Sequence, residues 1–288
     1  MPDRLTAELP VAVFDSGVGG LTVLHECLVS LPHEDFLYLG DTARFPYGLR
    51  SAAELRDFSF ELAELLLEHG AKLLVVACNS ATAAALPALR EHLGGRVGVV
   101  GVVGPESRLA AQVTRAGRVG LLATPATVRS GAYDRAITEA APGATLESVA
   151  APELAPLIQA GDEVDERVVA QVERLCAPLR AVEVDTLILG CTHYPLVRPM
   201  LQRELGRGVE IVTSGAAIAE EVHAELRARG LDRPGGRRGS YRFLCSGDPE
   251  AFRRLGTRFL QLPFGEVRHV EVAEAEAVAA PLAGRAAA

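Results

Sequence analysis

Two of the five cysteines of this chain occur in the same local pattern. Residues 73–80 read LLVVACNS and residues 187–193 read LILGCTH, so Cys78 and Cys191 each follow an apolar run of strand length. In an α/β sheet, small molecules bind at the carboxyl ends of the strands, where the following helices point their N-termini. A helix N-terminus stabilises a thiolate and lowers its pKa below the free value of about 8.5. We therefore expect both thiols to exchange protons near neutral pH; the alternative is that each is a small apolar core residue.

The residues after each cysteine supply hydrogen-bonding groups. Asn79 and Ser80 follow the first cysteine, and Thr192 and His193 follow the second. Together with the backbone N–H groups of the following helices, these side chains can bind carboxylates without any lysine. His193 also stands where it can partner the second cysteine and set its protonation state, with a plain hydrogen-bonding role as the alternative.

A glycine-rich turn ends the first apolar run of the chain. Residues 15–20 read DSGVGG, but the third glycine of a dinucleotide-binding fingerprint falls on Thr22, so dinucleotide binding is poorly supported. The glycines still let the backbone approach a ligand closely, and Asp15 offers a carboxylate to an ammonium group. Residues 44–48 (RFPYG) predict a shaped turn over the site, with a purely structural turn as the alternative.

Strand-length apolar runs recur between helix-like stretches of the chain. These runs are residues 9–14, 36–39, 73–77, 97–100, 118–123, 186–189 and 209–212. Their apolarity is continuous rather than alternating, which favours strands buried on both faces, as in a parallel α/β sheet. Residues 51–69 are predicted as a helix, because Ser51 and Glu54 make a capping-box pattern and Gly70 offers a stop.

The strand-turn-helix pattern is repeated in the two halves of the chain. Residues 73–90 (LLVVACNSATAAALPALR) resemble residues 187–203 (LILGCTHYPLVRPMLQR), and residues 11–20 (VAVFDSGVGG) resemble residues 119–128 (VGLLATPATV). Any α/β protein repeats such units, so ordinary alternation and true duplication both remain open. The pattern is the one expected when two similar α/β lobes face each other.

We predict an α/β fold of two similar three-layer lobes with mainly parallel sheets. The first lobe is assigned to residues 1–104 together with 215–288, and the second to residues 105–214. Residues 271–288 are Ala-rich and lack turn residues or an apolar period, which predicts a loosely ordered tail.

Composition excludes several classes of function. The chain has 288 residues, 49% of them hydrophobic, which suffices for one large or two medium cores. Its formal net charge of -8 leaves no broad basic surface for nucleic acid. The first ten residues lack an export signal and the apolar runs are too short to span a membrane, so we expect a cytoplasmic protein with no membrane partner. An odd number of scattered cysteines predicts free thiols.

Signatures of metals and cofactors are missing from the sequence. It contains no C-x-x-C or H-E-x-x-H pattern for zinc, no G-x-S-x-G elbow and no Walker loop. A pyridoxal enzyme needs a Schiff-base lysine, and the single lysine, Lys72, stands at the start of a predicted strand rather than at its functional end. We therefore expect no metal and no cofactor.

Four motifs together resemble the ordered motif set of the glutamate racemase family. They are FDSGVGGL from Phe14, GDTARFPYG from Gly40, ACNSATA from Ala77 and LGCTHYP from Leu189, and they extend over roughly residues 10–215. The resemblance implies an enzyme that makes D-glutamate for peptidoglycan, with two α/β lobes and a small-molecule substrate, glutamate, between them. The oligomeric state is not fixed by the sequence, and a homodimer is compatible with it.

The resemblance also assigns roles to residues. It implies that Cys78 and Cys191 are the two catalytic thiols and that Asp15 and His193 assist them. The substrate contacts that it implies are Asp15, Ser16, Tyr47, Gly48, Asn79, Ser80, Thr124, Thr192 and His193. The chain departs from the family at two positions, with Ser80 where Thr is usual and Gln159 where Glu is usual. Ser80 keeps the hydroxyl, whereas Gln159 removes a carboxylate, which leaves the role of that position in doubt.

The chemistry of racemisation agrees with this assignment. Removing the α-proton of an amino acid leaves a poorly stabilised carbanion, so an enzyme without pyridoxal phosphate must position a base, an acid and electrostatic support. Inversion places base and acid on opposite faces of the carbon, and two facing cysteines supply both. An aspartate or hydantoin racemase or a related decarboxylase would share the fold and the thiols. A non-enzymatic protein that closes two lobes on a ligand is the alternative from another class.

Overall fold

The structure is a computed structural model that describes residues 5–161 and 166–275. The strands in this part of the chain are β1 (Val11–Asp15), β2 (Phe36–Gly40), β3 (Leu73–Val76), β4 (Gly98–Gly101), β5 (Arg118–Ala123), β6 (Thr145–Ala150), β7 (Thr186–Gly190), β8 (Glu210–Val212), β9 (Tyr241–Cys245) and β10 (Val267–His269). The helices are α1 (Leu21–Ser30), α2 (Ala52–Glu68), α3 (Asn79–Leu93), α4 (Val103–Val113), α5 (Pro125–Arg129), α6 (Ala132–Ala140), α7 (Leu154–Ala160), α8 (Glu166–Ala181), α9 (Arg198–Leu205), α10 (Gly215–Ala228) and α11 (Pro249–Leu260). Short 3-10 turns lie at Thr42–Arg44, Tyr47–Leu49 and Tyr194–Val197.

The strands form two separate parallel sheets. One sheet has six strands in the order β10-β9-β2-β1-β3-β4, and the other has four in the order β6-β5-β7-β8. All of the described pairings are parallel. The order β2-β1-β3-β4 therefore recurs as β6-β5-β7-β8, so that β3 and β7 are equivalent strands. The predicted fold, two α/β lobes with parallel sheets, is confirmed, and the repeat is present in the topology.

Each sheet lies between two layers of helices. In β1, Val11 and Val13 pack into the same core as α1, α10 and α11, whereas Ala12 and Phe14 point to the opposite core with α2 and α3. The second sheet packs α4 and α6 on one face and α7, α8 and α9 on the other. Continuous apolar runs are explained by this arrangement, since both faces of a central strand are covered.

Seven strands coincide with the predicted runs, and three strands were not predicted. The missed strands are β6, β9 and β10, of which β6 and β10 are sheet edges. Most of the side chains of β6 (TLESVA) are only partly buried, so its sequence lacks a continuous apolar run.

The predicted helix after residue 50 forms as α2. Ser51 and Glu54 make the full capping box, with the Ser51 side chain accepting from the Glu54 N–H and the Glu54 side chain accepting from the Ser51 N–H. Gly70 follows with a φ of 86°, in the left-handed region. Lys72 lies at the start of β3, fully buried, with its ammonium 2.5 Å from the Glu34 carboxylate, far from the strand's carboxyl end.

The chain crosses from one lobe to the other twice. It leaves the first sheet after β4, and α4 packs against α6 and β7; it returns through α10, which packs against α1. The domain boundaries near residues 104 and 214 stay a prediction. Residues 271–275 of the predicted tail form no helix or strand, and the Ala273 N–H donates to Glu61 at 2.6 Å; the rest of that tail lies outside the described residues. Within the described ranges, no helix is long and apolar enough to cross a membrane.

Candidate active site

A pocket opens between the two lobes at the carboxyl ends of their strands. With the exception of Asp15, all the site residues predicted from the sequence line it, namely Ser16, Tyr47, Gly48, Cys78, Asn79, Ser80, Thr124, Cys191, Thr192 and His193. The two thiols come from equivalent positions, since Cys78 lies two residues after β3 and Cys191 directly follows β7. Phe45 and Pro46, from the predicted turn over the site, also line the pocket, together with the apolar residues Leu49, Pro152, Ala155 and Pro156, which were not predicted.

Two glycines allow the lobes to approach each other at this pocket. A Cβ on Gly48 would lie 2.7 Å from the Cβ of Thr124, which belongs to the other lobe. A Cβ on Gly19 would collide with the Thr192 and His193 side chains. The glycine-rich turn after β1 therefore serves close contact between the lobes.

The pocket is narrow in this structure. The centre of a water molecule has about 20 Å³ in which to move, and that is about the room that one water needs. An amino acid does not fit such a space. We call this narrow space the closed pocket.

Cys78 is buried at the N-terminus of α3. Burial and, to a smaller extent, the nearby Asp15 carboxylate raise the pKa of the Cys78 thiol to about 12, although hydrogen bonds from the Ala81 N–H and from Ser16 oppose the shift. The expectation that a helix N-terminus lowers this pKa is therefore wrong for the closed pocket. The reason is that loss of water outweighs the helix N-terminus and the hydrogen bonds.

Cys191 is buried in the turn after β7. Burial raises its pKa well above the usual range, hydrogen bonds from the His193 N–H and the Tyr194 hydroxyl oppose the shift, and Cys78 and Asp15 raise it through their charges. The expectation of a lowered pKa is wrong here as well, for the same reason. Both thiols line the same pocket, and both are protonated near neutral pH because burial raises their pKa values.

Asp15 lies beneath the pocket at the end of β1, with 0% of its surface exposed. Burial raises its pKa to about 6, although hydrogen bonds from the backbone N–H groups of residues 16, 17 and 20 and from the Thr192 hydroxyl hold the ionised form. The Thr192 hydroxyl is 3.3 Å from one carboxylate oxygen, and the Gly17 N–H is 3.0 Å from the other. Asp15 is thus a carboxylate near neutral pH, shared by elements of both lobes.

A cluster of hydroxyls joins the lobes on the Cys78 side. The Ser80 hydroxyl lies 2.8 Å from the Thr124 hydroxyl and 3.2 Å from that of Thr127. Thr124 caps the N-terminus of α5, where its hydroxyl accepts from the Thr127 N–H. These hydroxyls and the free N–H groups of a helix start can bind an anion such as a carboxylate.

The Tyr47 hydroxyl points away from the pocket. It donates to the Asp41 carboxylate, which also accepts from the Arg44 guanidinium at 2.6 Å and from the Ser246 hydroxyl at 2.6 Å. Residues 45–48 line the pocket, as predicted for a turn over the site, and this buried network fixes their position. Tyr47 therefore lines the pocket while its hydroxyl is engaged by Asp41.

The His193 ring is held by Gln159 and by two phenylalanine rings. Its Nε2 lies 2.9 Å from the Gln159 side-chain oxygen, and its ring packs against Phe45 and Phe259. Burial, followed by the charge of Arg258, lowers the pKa of His193 to about 3. The ring is therefore neutral near pH 7, and Gln159 selects the tautomer with the proton on Nε2, leaving Nδ1 as an acceptor.

Two buried tyrosines near the thiols were missed in the sequence. The Tyr194 hydroxyl contacts Cys191, and the Tyr133 hydroxyl lies 2.8 Å from the Asn79 amide nitrogen. Tyr194 belongs to the LGCTHYP motif, and its position three residues after Cys191 could have identified it as a site residue. Tyr133 has no such signal, because it reaches Asn79 only through the packing of the lobes.

Potential metal ligands do not gather anywhere in the described parts of the chain. Across residues 5–161 and 166–275, no three His, Cys, Asp or Glu side chains form a group that could hold a metal ion. Independence of metals and cofactors remains a prediction for the activity assay.

Comparisons with known proteins agree with this geometry. The family model for Asp/Glu/Hydantoin racemase matches residues 23–222. A glutamate racemase from Beutenbergia cavernae is 44% identical over 290 residues, which cover 96% of this chain and 99% of the relative. The structure of glutamate racemase isoform RacE1 from Bacillus anthracis has a TM-score of 0.88 and 38% identity, covering 92% of this chain and 98% of its own.

A solved structure with a bound ligand is also similar to this chain. The glutamate racemase of Francisella tularensis, solved in complex with D-glutamate, has a TM-score of 0.85 and 29% identity, covering 92% of this chain and 98% of its own. The family resemblance noted in the motifs is thereby confirmed over most of the chain. The non-enzymatic alternative is set aside, and this chain belongs to the Asp/Glu/Hydantoin racemase family of isomerases.

Proposed function

We propose that this chain interconverts L- and D-glutamate without a metal or organic cofactor: one of the thiols of Cys78 and Cys191 removes the α-proton, and the other donates a proton to the opposite face of the carbon. The observation that carries the proposal is that these thiols follow equivalent strands of two lobes and line one pocket. Glutamate is inferred as the substrate because relatives that match nearly the whole chain are glutamate racemases, one of them solved with D-glutamate. Supply of D-glutamate for peptidoglycan is part of the proposal.

Inversion at the α-carbon accounts for the use of two thiols. A proton must leave one face of the carbon and another must arrive on the opposite face. By resemblance, Cys78 takes the proton from D-glutamate and Cys191 takes it from L-glutamate, and each returns it on its own face in the reverse reaction. One thiol is then the base and the other the acid in each direction.

Substrate binding supplies the charge that the thiols need. In the closed pocket both thiols are protonated, because burial raises their pKa values. The ammonium group of an amino acid brings an opposite charge into the same space, which lowers the pKa of a neighbouring thiol. Asp15, ionised near neutral pH, is placed to hold that ammonium group.

Neutral groups bind the carboxylates in this proposal. Among the residues lining the pocket in the described part of the chain, none is Lys or Arg. The hydroxyls of Ser80, Thr124 and Thr192 and the N–H groups at the starts of α3 and α5 therefore take this role. Neutral donors also avoid placing a fixed positive charge beside the buried thiols.

The test is a circular dichroism assay on protein dialysed against EDTA and free of pyridoxal phosphate. We expect L-glutamate and D-glutamate each to racemise to completion, and L-aspartate and D-aspartate to react much more slowly. Activity that is lost on dialysis and restored by pyridoxal phosphate or a metal would refute the cofactor-independent reaction. Faster turnover of aspartate would favour the alternative of an aspartate racemase. Rescue of a bacterium that requires D-glutamate tests the peptidoglycan role.

Isotope labelling tests the two-thiol part separately. In deuterated water, L-glutamate should give D-glutamate labelled at the α-carbon, because the donating thiol exchanges with solvent. The remaining L-glutamate should stay unlabelled early in the reaction, since a different group serves its face. Substantial unlabelled product at low conversion would contradict two bases while leaving the fold unaffected.

A further inference from the structure

A second buried carboxyl, that of Glu106 on α4, lies close to the site and has no part in the two-thiol reaction. Its exposed fraction is 0%. The Asn79 amide nitrogen donates to it at 3.1 Å, and the hydroxyls of Tyr133 and Ser214 donate to it in short hydrogen bonds. All three partners are donors as the contacts stand, so the arrangement suits an ionised carboxylate with its several acceptor positions.

The three donors come from different parts of the molecule. Asn79 belongs to the first lobe, lines the pocket and is the residue after Cys78. Tyr133 lies on α6 of the second lobe. Ser214 immediately precedes α10, where the chain returns from the second lobe to the first. Glu106 thus connects a pocket residue of one lobe to a helix of the other lobe and to the crossover between them.

No cation neutralises Glu106 within the described residues. The groups that face it are the neutral side chains of Asn79 and Ser214 and the phenol of Tyr133, whose own pKa is raised well above its usual range by burial and by Glu106. Beyond Tyr133 lies Cys191, whose charge also acts on that phenol. On α4 itself, the nearby Arg108 pairs with Glu221 at the surface.

Burial and hydrogen bonding act on Glu106 in opposite directions. Burial raises its pKa to about 7, while the hydrogen bonds from Ser214, Tyr133 and Asn79 oppose that shift. A neutral carboxylic acid gives up acceptor capacity and must place its own proton among three donors. The contact with Asn79 is the one that cannot adapt by rotating a hydroxyl, so protonation weakens it first.

We propose that Glu106 is a positioning residue that, as a carboxylate, holds Asn79 in its place at the pocket and fixes the lobe junction for substrate binding. This inference rests on the proposed racemase function, because its readout is the binding of glutamate. Glu106 touches neither thiol, and its effect passes through Asn79.

The experiment compares Glu106→Gln with wild type and with Glu139→Gln, a matched change at an exposed position on the same helix as Tyr133. The amide of Glu106→Gln offers one acceptor oxygen and directs an NH₂ group at a donor. We expect the KM for glutamate to rise about tenfold with kcat within about twofold, the size expected for loss of one charged hydrogen bond. Glu139→Gln should match wild type.

A pH profile separates positioning from a general loss of structure. In wild type, protonation of Glu106 should lower kcat/KM about tenfold as the pH falls through about 7, before the loss caused by protonation of Asp15 below about 6. This first step should be missing in Glu106→Gln, where only the Asp15 step remains. Ser214→Ala is the second variant: it removes one donor, raises the pKa of Glu106 and should move the acid limb to higher pH by roughly half a unit or more.

The outcomes are distinct. If wild type and Glu139→Gln racemise glutamate while Glu106→Gln keeps the wild-type KM and the step near pH 7, the positioning role is refuted and the proposed function stands. If Glu106→Gln does not fold, an unshifted acid limb in Ser214→Ala refutes the role by itself. If wild type does not racemise glutamate, the proposed function fails and this inference fails with it.

Discussion

The two cysteine units have equivalent places in the two lobes, yet the elements on the C-terminal side of each cysteine differ. After Cys78, α3 begins at the next residue, and the thiol receives hydrogen bonds from the Ala81 N–H in the first turn of that helix and from Ser16 of the first lobe. After Cys191, a 3-10 turn precedes α9, and the hydrogen bonds come from residues 193 and 194 of the turn itself. The repeated topology thus delivers two similar thiols to one pocket with different local support.

Thermodynamics limits how this difference between the two thiols can appear in the kinetic constants. Because L- and D-glutamate have equal free energies in water, kcat/KM must be the same in both directions for wild type and for every variant. Unequal thiol environments therefore appear in kcat and KM taken separately, and in the pH dependence, but never in the ratio of the two efficiencies. A variant at one cysteine unit should lower both directions equally in kcat/KM.

The largest effect is expected from removing either thiol. Cys78→Ala and Cys191→Ala should each reduce racemisation by at least ~10³-fold, because each direction needs both an acid and a base. The measurement is the circular dichroism assay with each enantiomer. Cys176→Ala, at a buried cysteine of α8 that does not line the pocket, is the control and should keep most of the activity. Retention of most activity in either pocket variant would show that the two units are not both required.

Much of this arrangement is readable from sequence because the central strands are covered on both faces. Seven continuous apolar runs correspond to strands, and both cysteines follow such strands, which places them at the same edge of the two sheets. The motif resemblance adds the pocket residues, of which all but Asp15 line the pocket. The edge strand β6 escapes the pattern because one side of it meets solvent and its sequence mixes polar and apolar residues.

The features that the sequence does not reveal depend on burial and on contacts between the lobes. A helix N-terminus predicts a lowered thiol pKa, but the degree of burial that reverses this shift exists only once two lobes close over the sulfur. Glu106 and Tyr133 are distant in sequence from the motifs and meet Asn79 through packing alone. The role of Gln159 likewise becomes visible only when His193 is seen beside it.

The second largest effect is expected from Asp15→Asn. Asp15 has a pKa raised to about 6 by burial, so it is ionised above that pH and protonated below it. In the proposed reaction the ionised form holds the substrate ammonium, and hence kcat/KM should fall as the pH drops below about 6. Asp15→Asn should lower kcat/KM by roughly 10²-fold at neutral pH, within the range for a charged hydrogen-bond partner in a closed site. The fall of kcat/KM that protonation of Asp15 causes at acid pH should be absent from the pH profile of this variant. Asp57→Asn, at an exposed position of α2, is the control; an unchanged pH profile in Asp15→Asn would contradict this role.

A several-fold effect should distinguish the two thiol environments. Ser16→Ala removes a hydroxyl that lowers the pKa of Cys78, and Tyr194→Phe removes one that lowers the pKa of Cys191 and also donates to the Ala151 carbonyl at 3.1 Å. Each should lower kcat/KM about five- to tenfold, equally in both directions, since one neutral hydrogen bond contributes about 1 kcal/mol. We expect the two variants to divide the loss differently between kcat and KM for L- and D-glutamate. Identical changes in all four constants would mean that the local support of the thiols has no kinetic consequence.

The smallest effect is expected at Gln159, which acts only on the Cys191 side. Gln159 accepts a hydrogen bond from His193, whose pKa burial and then Arg258 lower to about 3, so the ring is neutral at working pH. In Gln159→Glu a carboxylate takes the place of the amide, and an opposite charge at that distance raises the pKa of His193 by about one to three units.

Even so, the His193 ring stays mostly neutral at about pH 8 in Gln159→Glu, and we expect kcat within about threefold of wild type there. The difference should grow as the pH falls towards 6, because the variant ring starts to take up a proton while the wild-type ring does not. NMR titration measures the pKa of His193, and the pH profile of kcat measures the effect on turnover. The control is Gln112→Glu, at an exposed position on α4. A large loss at about pH 8 would mean that the amide itself contributes to turnover. An unmoved His193 pKa would mean that the two side chains are not partners, and that the Cys191 unit depends on its own turn alone.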